Sequence, residues 1–197
     1  MTELPELLVA DVAGWRQWLG EHFQTSPGVW LVLHKKGGSV TRLTYGDALD
    51  EALCVGWIDG QVQRRDEQSF RQRFTPRRPR SPWSTRNVGH VERLRAEGRM
   101  QPAGEAAIRA AQADGRLERA YTGPATMQMQ DDVLAAVAAN PSAQAMFDVL
   151  TKANLFAIYY RVNEAKRPDT RARRIAAFVE MLADGRTPHP QKQRPAD

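Results

Sequence analysis

The sequence predicts an α+β fold: a small, mostly antiparallel sheet of about three strands packed on helices, followed by a C-terminal helical subdomain. Three observations carry this. Val29 to His34 (VWLVLH) is an uninterrupted, β-rich apolar run, the pattern of a strand covered on both faces. Residues 57–63 and 69–74 alternate between polar and apolar, with the polar turn RRDEQ between them. From residue 131 onward, apolar residues recur at helical spacing between recognisable caps.

Each element has its own local reason. Residues 1–9 read as an extended lead-in. Asp11 caps a helix to about His22, with Val12, Trp15, Trp18 and Leu19 on one face. TSPG breaks it, and after the Val29–His34 strand KKGGS forms a loop. Thr44 caps the next helix, with Asp47 three positions on in a capping-box arrangement. Ala48, Leu49, Ala52 and Leu53 form its buried stripe, and Gly56 ends it.

In the hairpin that follows, setting Val62 across from Phe70 points both apolar faces inward. That register puts Asp59 opposite Arg73 and Gln61 opposite Arg71, one polar face beside Trp57. TPRRPRSPWS (75–84) is an extended loop stiffened by prolines. Ser84 caps a helix to about Glu97, with Val88, Val91 and Leu94 inward, and Gly98 closes it. Pro102 opens a helix to Asp114, closed by Gly115. Later helices span 131–139, 141–150 (capped by Asn140), 152–163 and about 168–183, the last with a stripe of Ile175, Phe178, Val179 and Leu182. The expected organisation is an α+β domain over 1–115, a linker over 116–130, a helical module over 131–186 and a disordered tail over 187–197.

Charge is unevenly distributed along the 197 residues, whose formal net charge is +5. Residues 1–60 hold 4 Lys/Arg against 8 Asp/Glu, and residues 61–100 hold 11 against 4. Residues 101–150 hold 3 against 6, and residues 151–197 hold 10 against 5. Two basic blocks separated by acidic ones imply a polarised surface.

The single cysteine, Cys54, excludes an intramolecular disulfide and lies in an apolar helical pattern, as a buried structural thiol does. The acidic N-terminus lacks a signal-peptide pattern and no apolar run reaches spanning length, so a soluble, cytoplasmic protein is expected. The four histidines lack HxxxH spacing and there is no CxxC, GxSxG or phosphate loop. No metal and no cofactor are expected.

What stands out is Trp57 to Asn87, which packs eight arginines, two tryptophans and three prolines into 31 residues. Read functionally, Arg73, Arg77, Arg78, Arg80 and Arg86 form an anion site with Trp57 and Trp83 as stacking surfaces, because guanidinium forks match carboxylate and phosphate. Read structurally, the same arginines are a solvated strand face and loop, paired internally to Asp59, Glu92 or the acidic N-terminal third. Asp59 suits an orienting or salt-bridging role better than that of a general base, since a neighbouring arginine depresses its pKa. The C-terminal basic residues read either as a solvated helix face or as a second part of the anion surface.

The strings HKKGG, LTYGDALDEALCVGWIDGQV, RFTPRRPRSPWSTRNV, AEGRM, PAGEAAI and EAKRPDTRARRI resemble the YdeI/OmpD-associated family, also labelled bacteriocin-protection proteins. The resemblance spans about Trp30 to Gly185, with the small helical module at about 126–186. It implies a role in resistance to cationic antimicrobial peptides or bacteriocins, a periplasmic location and a porin partner. The N-terminus departs from the periplasmic pattern by lacking a signal peptide. No catalytic residue is carried over. The positions matching the characteristic strings are Trp57, Asp59, Arg73, Thr75, Arg77, Arg78, Ser81, Trp83, Ser84 and Asn87, with Lys166, Arg167, Thr170 and Arg171 in the helical module.

The sequence therefore points to a stress- or antimicrobial-protection protein that binds an anionic small molecule or polymer at the Trp57/Asp59/Arg73–Asn87 surface. Two alternatives stand beside it. One is an enzyme acting on a phosphorylated or carboxylated substrate, with Asp59, Ser81 and Ser84 as polar players. The other is a nucleic-acid-binding accessory protein.

Overall fold

The computed structural model describes residues 3–195. Its elements run β1 (Glu6–Leu7), α1 (Val12–His22), β2 (Val29–His34), α2 (Tyr45–Cys54), β3 (Trp57–Arg64), β4 (Ser69–Pro76), α3 (Thr85–Ala96) and α4 (Pro102–Ala113). Then come α5 (Asp131–Ala138), α6 (Pro141–Asp148), α7 (Lys152–Asn163) and α8 (Pro168–Ala183). The chain divides into two compact units, one up to Ala120 and one from Tyr121 on.

The fold is α+β, with a mixed sheet in strand order β1-β2-β4-β3. The β2–β4 and β3–β4 pairings are antiparallel, and β1 joins β2 in parallel. The fourth strand comes from the expected lead-in. Two residues are too short a run to show alternation, so only pairing with β2 reveals it.

The helix boundaries follow the caps. Asp11 accepts from the amides of Ala13 and Gly14, Thr44 from Asp47, Ser84 from Asn87, and Asn140 from Ala143. Gly56, at φ +78, takes the left-handed turn between α2 and β3, and a Cβ there would press on the Ala103 carbonyl oxygen at 3.1 Å.

The first unit is built around one apolar cluster. Val29, Leu31, Leu33 and Phe74 of the sheet pack with Trp15 and Leu19 of α1, Leu49 and Leu53 of α2, and Leu94 of α3. Trp57, Trp83 and Cys54 belong to the same cluster. The second unit has its own core, with Val133, Met146, Ile158, Ile175, Phe178 and Leu182 at its centre.

The hairpin register differs from expectation. Trp57, Ile58 and Asp59 pair with Pro76, Thr75 and Phe74, and beyond an irregularity Val62, Gln63 and Arg64 pair with Gln72, Arg71 and Phe70. A β-bulge at Gly60–Gln61 separates the two registers. Gln72, almost fully buried, supplies the reason: its Nε2 donates to the Gly60 carbonyl at 2.8 Å. Because cross-strand partners share a face, Asp59 lies on the Phe74 face and Arg73, paired with Trp30, lies on the other. The expected Asp59–Arg73 pair is not formed.

The segment after Gly185, expected as a disordered tail, is tied to α7. The buried Asn154 donates through Nδ2 to the His189 carbonyl at 3.1 Å and to Gln191 Oε1 at 2.7 Å, and its Oδ1 accepts from the His189 amide at 2.7 Å. A buried amide needs such partners. The last two residues of that tail lie outside the described residues.

Candidate functional site

The arginine-rich segment holds both packed side chains and exposed ones. Neither tryptophan is a stacking surface. Trp57 is 1% exposed and donates from Nε1 to the Phe23 carbonyl at 3.0 Å. Trp83 is 2% exposed, and Arg77 covers it with its guanidinium carbon 3.8 Å from the ring centroid. Arg77 also donates from Nη1 to the Pro82 carbonyl at 2.9 Å, which closes the loop on itself. Both indoles are core because their large apolar area is worth more buried than offered to solvent.

The hydroxylated and amide residues hold this loop in place. Ser84 Oγ accepts from the Asn87 amide at 3.2 Å as the α3 cap, and Asn87 is buried in the first turn. The Ser81 carbonyl accepts from Arg116 Nη1 at 3.0 Å. Thr75 packs on Gly28, where an added Cβ would lie 2.7 Å from the Thr75 methyl. Asp59 Oδ2 accepts from the Tyr45 hydroxyl at 2.8 Å. Arg73 lies over Gly60, and its buried Nε has no hydrogen-bond partner among the described residues. Asp59 and Arg73 therefore do not share a site, and Ser81 and Ser84 act through loop and cap bonds.

In the loop and the first turn of α3, Arg78, Arg80 and Arg86 are exposed, as is Arg64 at the end of β3. None forms a salt bridge among the described residues. Arg86 lies over the Tyr45 ring, its guanidinium carbon 5.6 Å from the centroid. Arg80 adopts φ +67, the left-handed region, within a turn whose Ser81 amide donates to the Arg78 carbonyl at 3.1 Å. Elsewhere in this unit, Arg16, Arg42, Arg65, Arg93, Arg95 and Arg99 are each paired with a carboxylate.

In the helical unit, Arg171 makes a two-pronged contact with Asp132, Nε and Nη2 each at 2.6 Å from one oxygen, tying α8 to α5. Lys166 and Arg167 are exposed, and Arg167 comes no closer than 3.9 Å to Asp169. The two basic blocks lie in different units.

The sequence reading missed a second constellation on α2. Glu51, 5% exposed, accepts from Arg16 Nε at 2.8 Å and Nη2 at 2.7 Å, and from Arg99 Nη2 at 2.7 Å. Its neighbour Asp50 accepts from Arg93 Nη2 at 2.6 Å and lies 2.8 Å from His90 Nδ1. Burial pushes both carboxyls up, but the facing arginines, with His90 at Asp50, override it and leave both below the usual carboxylate range. Burial also pushes the Cys54 thiol up, to about 11. A cavity of about 660 Å³ opens beside Glu51, lined by Arg16, Leu19, Phe23, Cys54, Arg99 and Pro102 among others. The available signal was two adjacent acids within an otherwise apolar helix stripe, ALDEAL.

Among the described residues no group of three or more His, Cys, Asp or Glu could hold a metal ion. None of the helices there is long and apolar enough to cross a membrane.

Comparison with known proteins divides along the chain. Residues 126–185 match the family described as Bacteriocin-protection, YdeI or OmpD-Associated. That match is shorter than the resemblance read from the sequence, whose GWIDG and RFTPRRPRSPWS strings fall outside it. Those strings fall within residues 7–107, which match the family described as a domain of unknown function, DUF8412. No curated protein and no solved structure matches. The chain belongs to the DUF8412 family, whose model covers about half its length, and residues 126–185 are similar to the bacteriocin-protection family.

Proposed function

We propose that this DUF8412 member serves a bacteriocin-protection-type role in which the loop between β4 and α3 docks an anionic polymer. The observation that carries the reading is the contrast among arginines: Arg78, Arg80 and Arg86 are exposed close together in sequence without a carboxylate partner, whereas Arg16, Arg42, Arg65, Arg71, Arg93, Arg95, Arg99 and Arg116 of the same unit are each paired with one. Support also comes from the contacts that tie the loop to its surroundings. Arg77 lies over Trp83, Arg116 bonds the Ser81 carbonyl, and Ser84 caps α3. Little ordering is then needed on binding. Exposed guanidinia on such a frame suit an extended polyanion, whose anionic groups they can meet in forks.

The enzymatic alternative is weaker, because Asp59 lies on the sheet face opposite Arg73, bonded to Tyr45, and the Ser84 hydroxyl is engaged as the α3 cap. The test is a salt titration of heparin and single-stranded DNA binding, comparing the unmodified chain with Arg78→Ala/Arg80→Ala/Arg86→Ala. Binding to heparin should fall steeply with salt, and the triple variant should lower the log–log slope by about two. Binding that is absent at low salt, or unchanged in the folded triple variant, overturns the reading. DNA bound as tightly as heparin would identify nucleic acid as a partner.

A further inference from the structure

We propose that the cavity beside Glu51 binds a small amphipathic carboxylate, its head on Arg16 and Arg99 and its apolar body against Leu19 and Phe23. The cavity, about 660 Å³, is of the size that encloses most of a small organic ligand. It lies entirely within the first unit, between α1, the end of α2 and the α3–α4 connection.

The chemistry of the ligand follows from which hydrogen-bonding groups are already used. Glu51 is occupied: Oε1 accepts from both Arg16 and Arg99, and Oε2 accepts from Arg16. Its carboxylate has little capacity left for a donor from a ligand. The guanidinia are not exhausted. Each has five N–H donors. Arg16 spends one from Nε and one from Nη2 on Glu51, and Arg99 spends one from Nη2 on Glu51 and one from Nη1 on Glu97. The polar wall therefore offers donors, and a ligand must bring acceptors.

Charge points the same way. Among the residues lining the cavity, Arg16 and Arg99 are the cations and Glu51 is the one anion, with the second carboxylate on Arg99, Glu97, lying outside the lining at 3.0 Å. Cys54 contributes no charge, since its raised pKa keeps the thiol protonated at neutral pH. The start of α4 adds to the donor side: Gln101 makes no side-chain cap bond, and Ala103 of the first turn lines the cavity. The remaining wall, from Leu19, Phe23, Val55 and Pro102, is apolar and calls for a hydrocarbon body.

The test is calorimetric titration of the full chain with octanoate and with octanamide, its neutral counterpart. Octanoate should bind at a single site, at least about tenfold more tightly than octanamide, because the charge-assisted head contacts are lost in the amide. Arg99→Gln should weaken octanoate about tenfold. Gly20→Phe supplies a variant that does not disturb the ion pairs: Gly20 lines the cavity on α1, and a Cβ there meets nothing within 4 Å. It should keep the fold and abolish octanoate binding. The triple loop variant Arg78→Ala/Arg80→Ala/Arg86→Ala should bind octanoate unchanged, which separates this site from the polyanion surface. No saturable octanoate binding, equal binding of octanamide, or unaltered binding by folded Gly20→Phe overturns the proposal.

Discussion

Arg77 lies over Trp83, guanidinium carbon 3.8 Å from the ring centroid, while its Nη1 donates to the Pro82 carbonyl at 2.9 Å. One side chain thus seals the indole and clamps the proline loop. The pair explains why tryptophan and arginine recur in this segment without forming an open stacking platform: the cation is the lid of the core.

Arg77→Ala should destabilise the first unit by about 2 kcal/mol, from a desolvated cation–π contact and a lost hydrogen bond. Arg77→Lys should recover only part of this, since an ammonium cannot lie flat on the ring and donate in its plane. Urea unfolding followed by tryptophan fluorescence measures both. Stabilities indistinguishable from the parent would show that the loop, not the arginine, protects Trp83.

Glu51 should make the fold acid-sensitive. Burial raises its carboxyl pKa, and Arg16 and Arg99 together bring it below the usual carboxylate range. A folded-state pKa below the unfolded one means the unfolded chain binds the extra proton first. The stabilisation is then complete above the unfolded value and is lost as pH falls below about 4. Glu51→Gln should cost about 2–4 kcal/mol at neutral pH. It should also flatten the decline of stability between about pH 5 and pH 3. Asp50, lowered with the same sign, preserves part of the slope. Equal slopes for parent and variant, measured by denaturant unfolding across that range, would remove Glu51 from the acid response.

Arg171 should behave as a structural tie. It joins α8 to Asp132 at the start of α5 through two 2.6 Å contacts, with its side chain 28% exposed. The double-mutant cycle of Arg171→Ala and Asp132→Ala should give a coupling of about 1 kcal/mol, shrinking in high salt. Anion binding should be untouched by Arg171→Ala. A coupling near zero, or a loss of heparin affinity, would return Arg171 to the binding surface.

Local signals were read well from the chain. Thr44, Ser84 and Asn140 cap the helices they were expected to cap, and Lys152–Asn163 and Pro168–Ala183 are helices at the expected places. Caps, prolines and apolar spacing act within a few residues, so sequence alone carries them. What escaped were relationships between distant residues. The bulge at Gly60–Gln61 depends on Gln72 reaching across strands, and it alone sends Asp59 and Arg73 to opposite faces. The fate of the arginines was likewise tertiary. Arg16 and Arg99 are 83 positions apart in sequence yet meet at Glu51, while Arg78, Arg80 and Arg86 meet no carboxylate among the described residues. Residue type determined that this protein would carry guanidinia and indoles in one stretch. Only the packed fold decided which of them fill the core, which are neutralised, and which face solvent, because burial and pairing depend on what arrives from elsewhere in the chain.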